Sequence, residues 1–132
     1  MQYTLTRNVK KLSAGQVVYS AMCYDNGCMV DDGTLLKFGQ DNFRWVGGQE
    51  YGGEWLKEQA KKKNFKVWVK SSTDQIHNIA VQGPNSRKIL KKFVWTPDTQ
   101  PSIDDLQWFR LTIARIDSVT GTPIVISRTG YT

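Results

Sequence analysis

The chain has little of the chemistry from which metal sites and disulfide frameworks are built. Its 132 residues include one histidine and two cysteines, and the cysteines form no Cys-x-x-Cys pattern. A structural zinc site draws four ligands from cysteine and histidine, so we expect no metal. Cys23 and Cys28 flank a predicted hairpin turn in an offset register. We therefore expect two free, mostly buried thiols in a reducing compartment.

Long hydrophobic runs and a secretory leader are also missing. No apolar stretch approaches the roughly 20 residues that cross a bilayer, and the first residues lack a basic start followed by a long apolar core. These absences predict a cytoplasmic protein with no membrane partner. With 39% hydrophobic residues at this length, we expect one hydrophobic core and a single domain over residues 1–132.

Positive charge is in excess, with 18 Lys and Arg against 12 Asp and Glu and a net charge of +6. The densest basic runs are Lys61–Lys63 and Lys91–Lys92. Such runs are more often solvated helix faces than nucleic-acid sites, so we expect no nucleic-acid partner. A basic nucleic-acid-binding domain stays open as an alternative, and its mark would be binding that weakens steeply with salt.

Hydrophobic alternation predicts an antiparallel meander near the start of the chain. Three strands are predicted, over residues 16–24, 28–38 and 43–46. Asn26 and Gly27 predict a two-residue type I′ turn that places Asp25 opposite Cys28. Gly33 lies inside the second strand and predicts a bend or bulge there.

The rest of the chain adds two helices and further strands. A helix is predicted from near Glu54 to Lys63, since glycine pairs precede it. The apolar run Ile79–Val81 predicts a central strand covered on both faces. A second helix is predicted to begin at Pro84 and to pack an apolar stripe on the sheet, formed by Ile89, Leu90, Phe93 and Val94. Additional strands are predicted over residues 65–69, 109–116 and 123–127, with a capped turn at 102–105. Together these elements predict an α+β fold with a mostly antiparallel sheet and two main helices.

Four sequence blocks, taken in order, resemble the aminomethyltransferase family, which comprises the T-protein of the glycine cleavage system and its relatives. The blocks are Leu5-Thr6-x-Asn8-Val9, Tyr19-Ser20-x-Met22 with Asp31-Asp32, Gln82-Gly83-Pro84, and Ser127-Arg128-Thr129-Gly130-Tyr131-Thr132. The resemblance implies a partial folate-binding domain of the T-protein type, with tetrahydrofolate as cofactor. It implies a small-molecule one-carbon donor, and a lipoyl carrier protein or other enzyme subunits, as partners. The chain resembles an internal fragment, which we expect to be inactive alone.

The resemblance also points to candidate site residues. Met22, Val67 and Tyr131 match positions that contact folate, and Arg128 lies in the last block. The family's catalytic aspartate is expected between positions 52 and 55, where Glu54 is the only carboxylate.

The pterin that the resemblance implies needs a carboxylate for its amino-pyrimidine edge, an apolar slot and cations for its glutamate tail. Asp31 and Asp32 could supply that carboxylate, although adjacent aspartates at a strand bend are more often turn or bulge residues.

The leading hypothesis is therefore an enzyme that transfers an aminomethyl or methyl unit to tetrahydrofolate. The alternatives are a non-catalytic folate-binding or regulatory module and a domain of a larger sarcosine or dimethylglycine oxidase-like enzyme. Tight binding of a folate polyglutamate would favour any of these over a nucleic-acid-binding domain.

Overall fold

The computed structural model describes residues 1–130, which form two three-stranded sheets and two α-helices. The first sheet has the order β1 (Val17–Cys23), β2 (Met29–Lys37) and β3 (Phe43–Gly47), and helix α1 (Tyr51–Lys62) follows it. The second sheet has the order β4 (Val94–Trp95), β5 (Arg110–Ile116) and β6 (Pro123–Arg128), and helix α2 (Ser86–Leu90) precedes it. The predicted α+β class with antiparallel pairing and two helices is confirmed.

The chain divides into two compact units, each with its own sheet. The first unit comprises Met1–Ala14 and Val18–Asn78, and the second comprises Gly15–Val17 and the residues from Ile79 onward. A single domain over residues 1–132 stays a prediction. None of the helices in the described part of the chain has the length and apolar character needed to cross a membrane.

The β1–β2 hairpin closes through three residues, so the predicted type I′ turn is wrong. Tyr24 N–H donates to Cys28 O at 2.8 Å, and Gly27 N–H donates to Tyr24 O at 2.9 Å. Only Gly27 has a positive φ in this loop, +85°, whereas a type I′ turn needs two such residues. The Asn26 side chain accepts the Cys28 N–H at 3.0 Å and holds the longer loop. Tyr24, and not Asp25, therefore lies opposite Cys28.

Both cysteines are free, as predicted. Cys23 is half-buried, but Cys28 is exposed, so the prediction of two mostly buried thiols is wrong for Cys28. The three-residue loop explains the difference, because it places Cys28 at the solvent-facing end of the hairpin.

Strand β2 changes the side that it presents to the core between Val30 and Leu35. Both side chains are buried in one hydrophobic cluster, although residues five apart in a regular strand point to opposite faces. One residue of offset between them is what a β-bulge produces. The offset agrees with the bend predicted at Gly33, where an added Cβ would collide with the Val46 carbonyl.

The core of the first unit lies between the meander, the N-terminal segment and α1. An isolated antiparallel bridge joins Leu5 to Met22, and Trp55 and Leu56 of α1 pack against the buried cluster. The buried cluster consists of Leu5, Val9, Met22, Val30 and Leu35. Val9 opens a short 3-10 helix, Val9–Lys11.

Helix α1 begins at Tyr51, three residues before the predicted start at Glu54. It passes through Gly52, although glycine is unfavourable inside a helix by about 1 kcal/mol relative to alanine. Packing explains this choice, because a Cβ on Gly52 would lie 2.7 Å from Asp31 Oδ2. The Asp31 carboxylate in turn accepts hydrogen bonds from Trp45 Nε1 at 3.1 Å and Gly48 N–H at 3.2 Å. Asp31 thus ties β2 to β3 and to the start of the helix.

No helix or strand forms in residues 63–85, so the strands predicted over residues 65–69 and through Ile79–Val81 are wrong. The side chains of Trp68 and Ile79 are 85% and 80% exposed. Backbone hydrogen bonds in this stretch are short-range, such as Val67 N–H to Phe65 O at 3.1 Å. An apolar pattern specifies a strand only when another strand pairs with it, and no strand does so within the described residues.

In the second unit, β5 and β6 form a regular antiparallel ladder from Arg110↔Arg128 to Arg115↔Pro123. The core residues here are Val17, Ile103, Leu106, Leu111, Thr112 and Ala114. The capped turn is confirmed, since Asp105 N–H donates to Ser102 Oγ at 3.3 Å.

The second helix is shorter than predicted. Helix α2 spans five residues, and Ile89 and Phe93 are each about half exposed. The prediction that this stripe packs on a sheet is therefore wrong. A helix of this length turns too little to present one continuous apolar face.

Candidate functional site

Glu54 lies on the solvent side of α1. Its carboxylate forms an ion pair with Lys57 Nζ at 2.7 Å, and the two side chains are 61% and 45% exposed. The pair has i,i+3 spacing on the helix, which is a common surface arrangement. The structure therefore places Glu54 in a surface ion pair, and its catalytic role stays a prediction.

Asp32 occupies a different environment, on the meander. It is half-buried, and its Oδ2 accepts a hydrogen bond from the Tyr19 hydroxyl of the neighbouring strand β1. Tyr19 is itself 43% exposed. The pair combines a negative charge, a phenol that orients it and access from solvent. A hydrogen-bond donor of a ligand can reach a carboxylate placed in this way.

The two adjacent aspartates of β2 have separate roles. Asp31 is buried and satisfied by Trp45 Nε1 and Gly48 N–H, whereas Asp32 is partly open and bonded to Tyr19. Consecutive strand residues point to opposite faces of a sheet. Asp31 therefore holds Trp45 and Gly48 in place, whereas the Asp32 carboxylate can be reached from solvent.

Met22 and Val67, both predicted folate contacts, lie in unlike surroundings. Met22 is fully buried in the core cluster of the first unit. Val67 is 62% exposed in the stretch without helix or strand. Met22 thus lies in the core, Val67 in an irregular segment and Glu54 on a helix surface.

Arg128 lies at the end of β6, where it packs on an aromatic side chain. Its guanidinium carbon is 4.9 Å from the centre of the Trp108 ring, and its Nη1 donates to Leu106 O at 3.0 Å. Trp108 is 58% exposed. A cation over an exposed indole forms a flat surface that can hold a planar or anionic group.

The residue after Trp108 has a strained backbone. Phe109 has a φ of +52°, a conformation that costs an aromatic residue on the order of 1–3 kcal/mol. Two hydrogen bonds hold it: Phe109 N–H donates to Arg128 O and Val17 N–H donates to Phe109 O, both at 2.8 Å. Strain of this kind concentrates at ligand-binding sites, so Trp108 and Phe109 join Arg128 as candidates.

Sequence reasoning did not single out Tyr19, Trp108 or Phe109, which the structure brings forward as candidates. Tyr19 was recognisable only as part of a family block, because its pairing with Asp32 depends on the register across the β2 offset. Nothing in the sequence pattern marks the positive φ of Phe109. Tyr131, the remaining predicted folate contact, lies outside the described residues. Among residues 1–130, no cluster of three or more His, Cys, Asp or Glu is arranged to hold a metal ion.

Comparison with known proteins identifies the family. The chain matches the GCVT N-terminal domain over residues 1–132. It belongs to this family. It is 58% identical over 131 residues to a trimethylamine-oxide aldolase of Ruegeria pomeroyi, an alignment that covers 99% of the chain and 17% of the relative.

Aminomethyltransferases are more distant relatives of this GCVT-type chain. The proteins from Alkaliphilus metalliredigens and Koribacter versatilis are 36% and 38% identical to it over 135 and 136 residues. Each alignment covers the whole chain and about a third of the relative, 34% and 33%. The predicted family is confirmed, and the chain spans only a fraction of the length of these relatives.

Proposed function

We propose that this chain contributes part of the tetrahydrofolate site of a one-carbon transferase. The observation that carries the proposal is the Asp32–Tyr19 pair, a partly exposed carboxylate held by a phenol. Its surroundings suit the amino-pyrimidine edge of a pterin, which presents neighbouring N–H donors to a carboxylate. Membership of the GCVT N-terminal domain family supports this assignment.

In this proposal the carboxylate that contacts the cofactor is that of Asp32 and not that of Glu54. The Tyr19 hydroxyl donates a hydrogen bond to the Asp32 carboxylate and keeps it in one orientation. Tetrahydrofolate, when bound, supplies the nitrogen that accepts the one-carbon unit. Correct placement matters, because a displacement of about 1 Å can reduce a rate on the order of a hundredfold.

The Trp108–Arg128 surface of the second unit is a separate proposal. The exposed indole offers a face for a planar ring, and the guanidinium offers donors for a carboxylate, both of which a folate carries. Arg128 is thus a proposed cofactor contact, supported by its cation–π packing. Met22 and Val67 stay predicted contacts. Because Met22 is fully buried, it can only pack behind the residues that line the site.

Partners and location follow as further proposals. We expect a small-molecule one-carbon donor, with a lipoyl carrier protein or other enzyme subunits handling the transfer, in the cytoplasm. Because the chain covers about a third of each aminomethyltransferase, we expect full activity in a protein of that length and little in residues 1–132 alone.

The test is folate binding by a protein of the relatives' length that carries this sequence. We expect Asp32→Asn to weaken tetrahydrofolate binding at least about tenfold, since one charge-assisted hydrogen bond contributes roughly 1.5–3 kcal/mol. Tyr19→Phe should have a smaller effect in the same direction. Asp41→Asn, which changes an exposed turn residue, is the matched control and should bind normally. Equal affinity of the Asp32→Asn and Asp41→Asn proteins would refute the proposal.

A second candidate is a domain of a trimethylamine-oxide aldolase. The observation that favours it is the 58% identity to the Ruegeria pomeroyi protein, against 36–38% to the aminomethyltransferases. The two candidates are separated by offering a full-length protein trimethylamine oxide without folate. Its consumption would favour the aldolase, and transfer activity only with tetrahydrofolate would favour the first proposal.

A further inference from the structure

Each three-stranded sheet has two edge strands, and these four edges are protected to different degrees. The N-terminal segment runs beside β1 through the Leu5–Met22 bridge. Strand β3 carries Arg44 in its interior, and β4 has only two residues. Covering, charge and short length are means by which natural proteins keep an edge from pairing with another chain. Strand β6 has six residues, and those between its first proline and its last arginine are apolar except for one serine. It is the least protected of the four edges.

The direction of the bonds between β5 and β6 shows which backbone groups are left open. Ile116 N–H donates to Thr122 O at 2.9 Å, just before β6 begins. Bonded pairs recur at every second residue of an antiparallel ladder, so the register directs the backbone groups of Ile124 and Ile126 toward β5. The N–H and C=O groups of residues 125 and 127 therefore point away from the sheet.

Val125 and Ser127 thus have open backbone groups along the outer side of β6. Within residues 1–130, no backbone hydrogen bond reaches these outward N–H and C=O groups. Both side chains are exposed, that of Val125 to 36%. A row of open N–H and C=O groups on an apolar strand is a template for one further strand.

We propose that β6 pairs with β6 of a second copy of this chain, antiparallel and about a two-fold axis. The two three-stranded sheets then form one continuous six-stranded sheet. An antiparallel edge is complementary to itself, because each copy presents the same donors and acceptors in the opposite order. This interface goes beyond the proposed folate function and does not depend on it.

One register of this pairing satisfies the outward groups of both residues. Val125 of one copy lies opposite Ser127 of the other, and each of the two such pairs exchanges two N–H···O bonds. Ile126 then lies opposite Ile126 of the second copy in a non-bonded pair, where side chains are closest. Arg128 lies opposite Ile124, so the two arginines are at opposite ends of the pair and avoid the repulsion of directly opposed like charges.

Sedimentation equilibrium of the intact chain, from micromolar to millimolar concentration, tests whether this dimer forms. The salt concentration is about 0.15 M, because two copies with a net charge of +6 repel each other less when they are screened. We expect a reversible equilibrium between monomer and dimer.

Amide hydrogen exchange at the two ends of this concentration range locates the interface. The amides of Val125 and Ser127 should exchange quickly in the monomer and slowly in the dimer. Those of Ile124 and Ile126 should exchange slowly in both, because they are bonded to β5 in either state.

Two substitutions change the open edge without removing a bond to β5. Ser127→Pro removes one outward N–H from each copy, hence two of the four bonds, and an edge strand tolerates proline where the N–H faces outward. Val125→Lys brings two like charges close together across the pair. Each should raise the dimer dissociation constant by at least about tenfold. Val119→Lys, at an exposed turn residue, makes the same change away from the edge and should leave the constant unchanged.

The proposal is overturned if the intact chain stays monomeric at millimolar concentration. It is also overturned if a folded Ser127→Pro or Val125→Lys protein forms the dimer as readily as the unchanged chain. Slow exchange of the Val125 and Ser127 amides in a protein that stays monomeric would show that another part of the chain covers β6, and would likewise overturn it.

Discussion

The meander of residues 17–47 and the stretch of residues 63–85 have similar apolar patterns but very different structures. In the meander each strand follows its partner through a short loop, and Leu35 ends fully buried. In the later stretch Ile79 belongs to an equally apolar run and is 80% exposed. The difference teaches that an apolar pattern specifies a strand where the partner strand is close in sequence. Closing a short loop between the two strands then costs little conformational entropy.

The largest expected effect compares the two regions directly. Leu35→Ala should reduce the free energy of unfolding by about 2–5 kcal/mol, because it leaves a cavity in a closed core. Ile79→Ala removes a similar side chain from an exposed position and should change it by less than about 0.5 kcal/mol. Urea unfolding of both variants measures the contrast, and similar losses would show that residues 63–85 are packed after all.

The next largest effect concerns Asp31, the buried carboxylate between the meander and the start of α1. Asp31→Ala leaves the Trp45 indole N–H and the Gly48 N–H without their acceptor, so we expect a loss of roughly 1–3 kcal/mol for the pair of orphaned donors. Asp32→Ala removes a half-buried carboxylate with one phenol partner and should cost less. The same urea titrations test this, and a greater loss for Asp32→Ala would reverse the division of roles between the two aspartates.

Substitution of two neighbouring glycines of α1, Gly52 and Gly53, should change the stability by a smaller amount. Gly53→Ala meets open space and should stabilise the helix by up to about 1 kcal/mol, from helix propensity. Gly52→Ala gains the same propensity but places its Cβ 2.7 Å from Asp31 Oδ2, so we expect net destabilisation. Thermal unfolding followed by circular dichroism gives the sign of each change. Stabilisation by both substitutions would mean that α1 does not pass close to Asp31.

The smallest effect belongs to the outer face of α1. A double-mutant cycle with Glu54→Ala and Lys57→Ala should give a coupling energy of about 0.5 kcal/mol or less, as for other exposed ion pairs. Under the proposed function, Glu54→Ala should also leave folate affinity unchanged in a full-length protein. A clear loss of affinity would restore Glu54 as the site carboxylate and displace Asp32.

Most features set by neighbouring residues were predictable from the sequence, the loop at Asn26 and Gly27 being the exception. The strands of the meander, the offset at Gly33, the β5–β6 hairpin and the capped turn at Ser102 each depend on a few adjacent side chains. Features that need a distant partner were not predictable. The run Ile79–Val81 reads as a central strand only if other strands flank it, and the early start of α1 depends on the distant carboxylate of Asp31.

The candidate site was only partly predictable for the same reason. Asp32 and Arg128 were recognised as candidates, but their partners Tyr19 and Trp108 become visible only when the chain is folded. Glu54 was chosen by its position along the chain and stays a prediction, and the structure places its carboxylate in an ion pair with Lys57. A carboxylate's role depends on its neighbours in space, which spacing along the chain does not reveal.

Amide hydrogen exchange of the intact chain tests most directly whether the strands of the meander are paired and residues 63–85 are not. Amides bonded within β1–β3, including those of Leu36 and Arg44, which face each other across β2 and β3, should exchange only through large openings and be strongly protected. Amides of Val67, Trp68 and Ile79 should exchange at nearly the rate of an unfolded chain. Strong protection of these three amides, equal to that of the meander, would contradict the account.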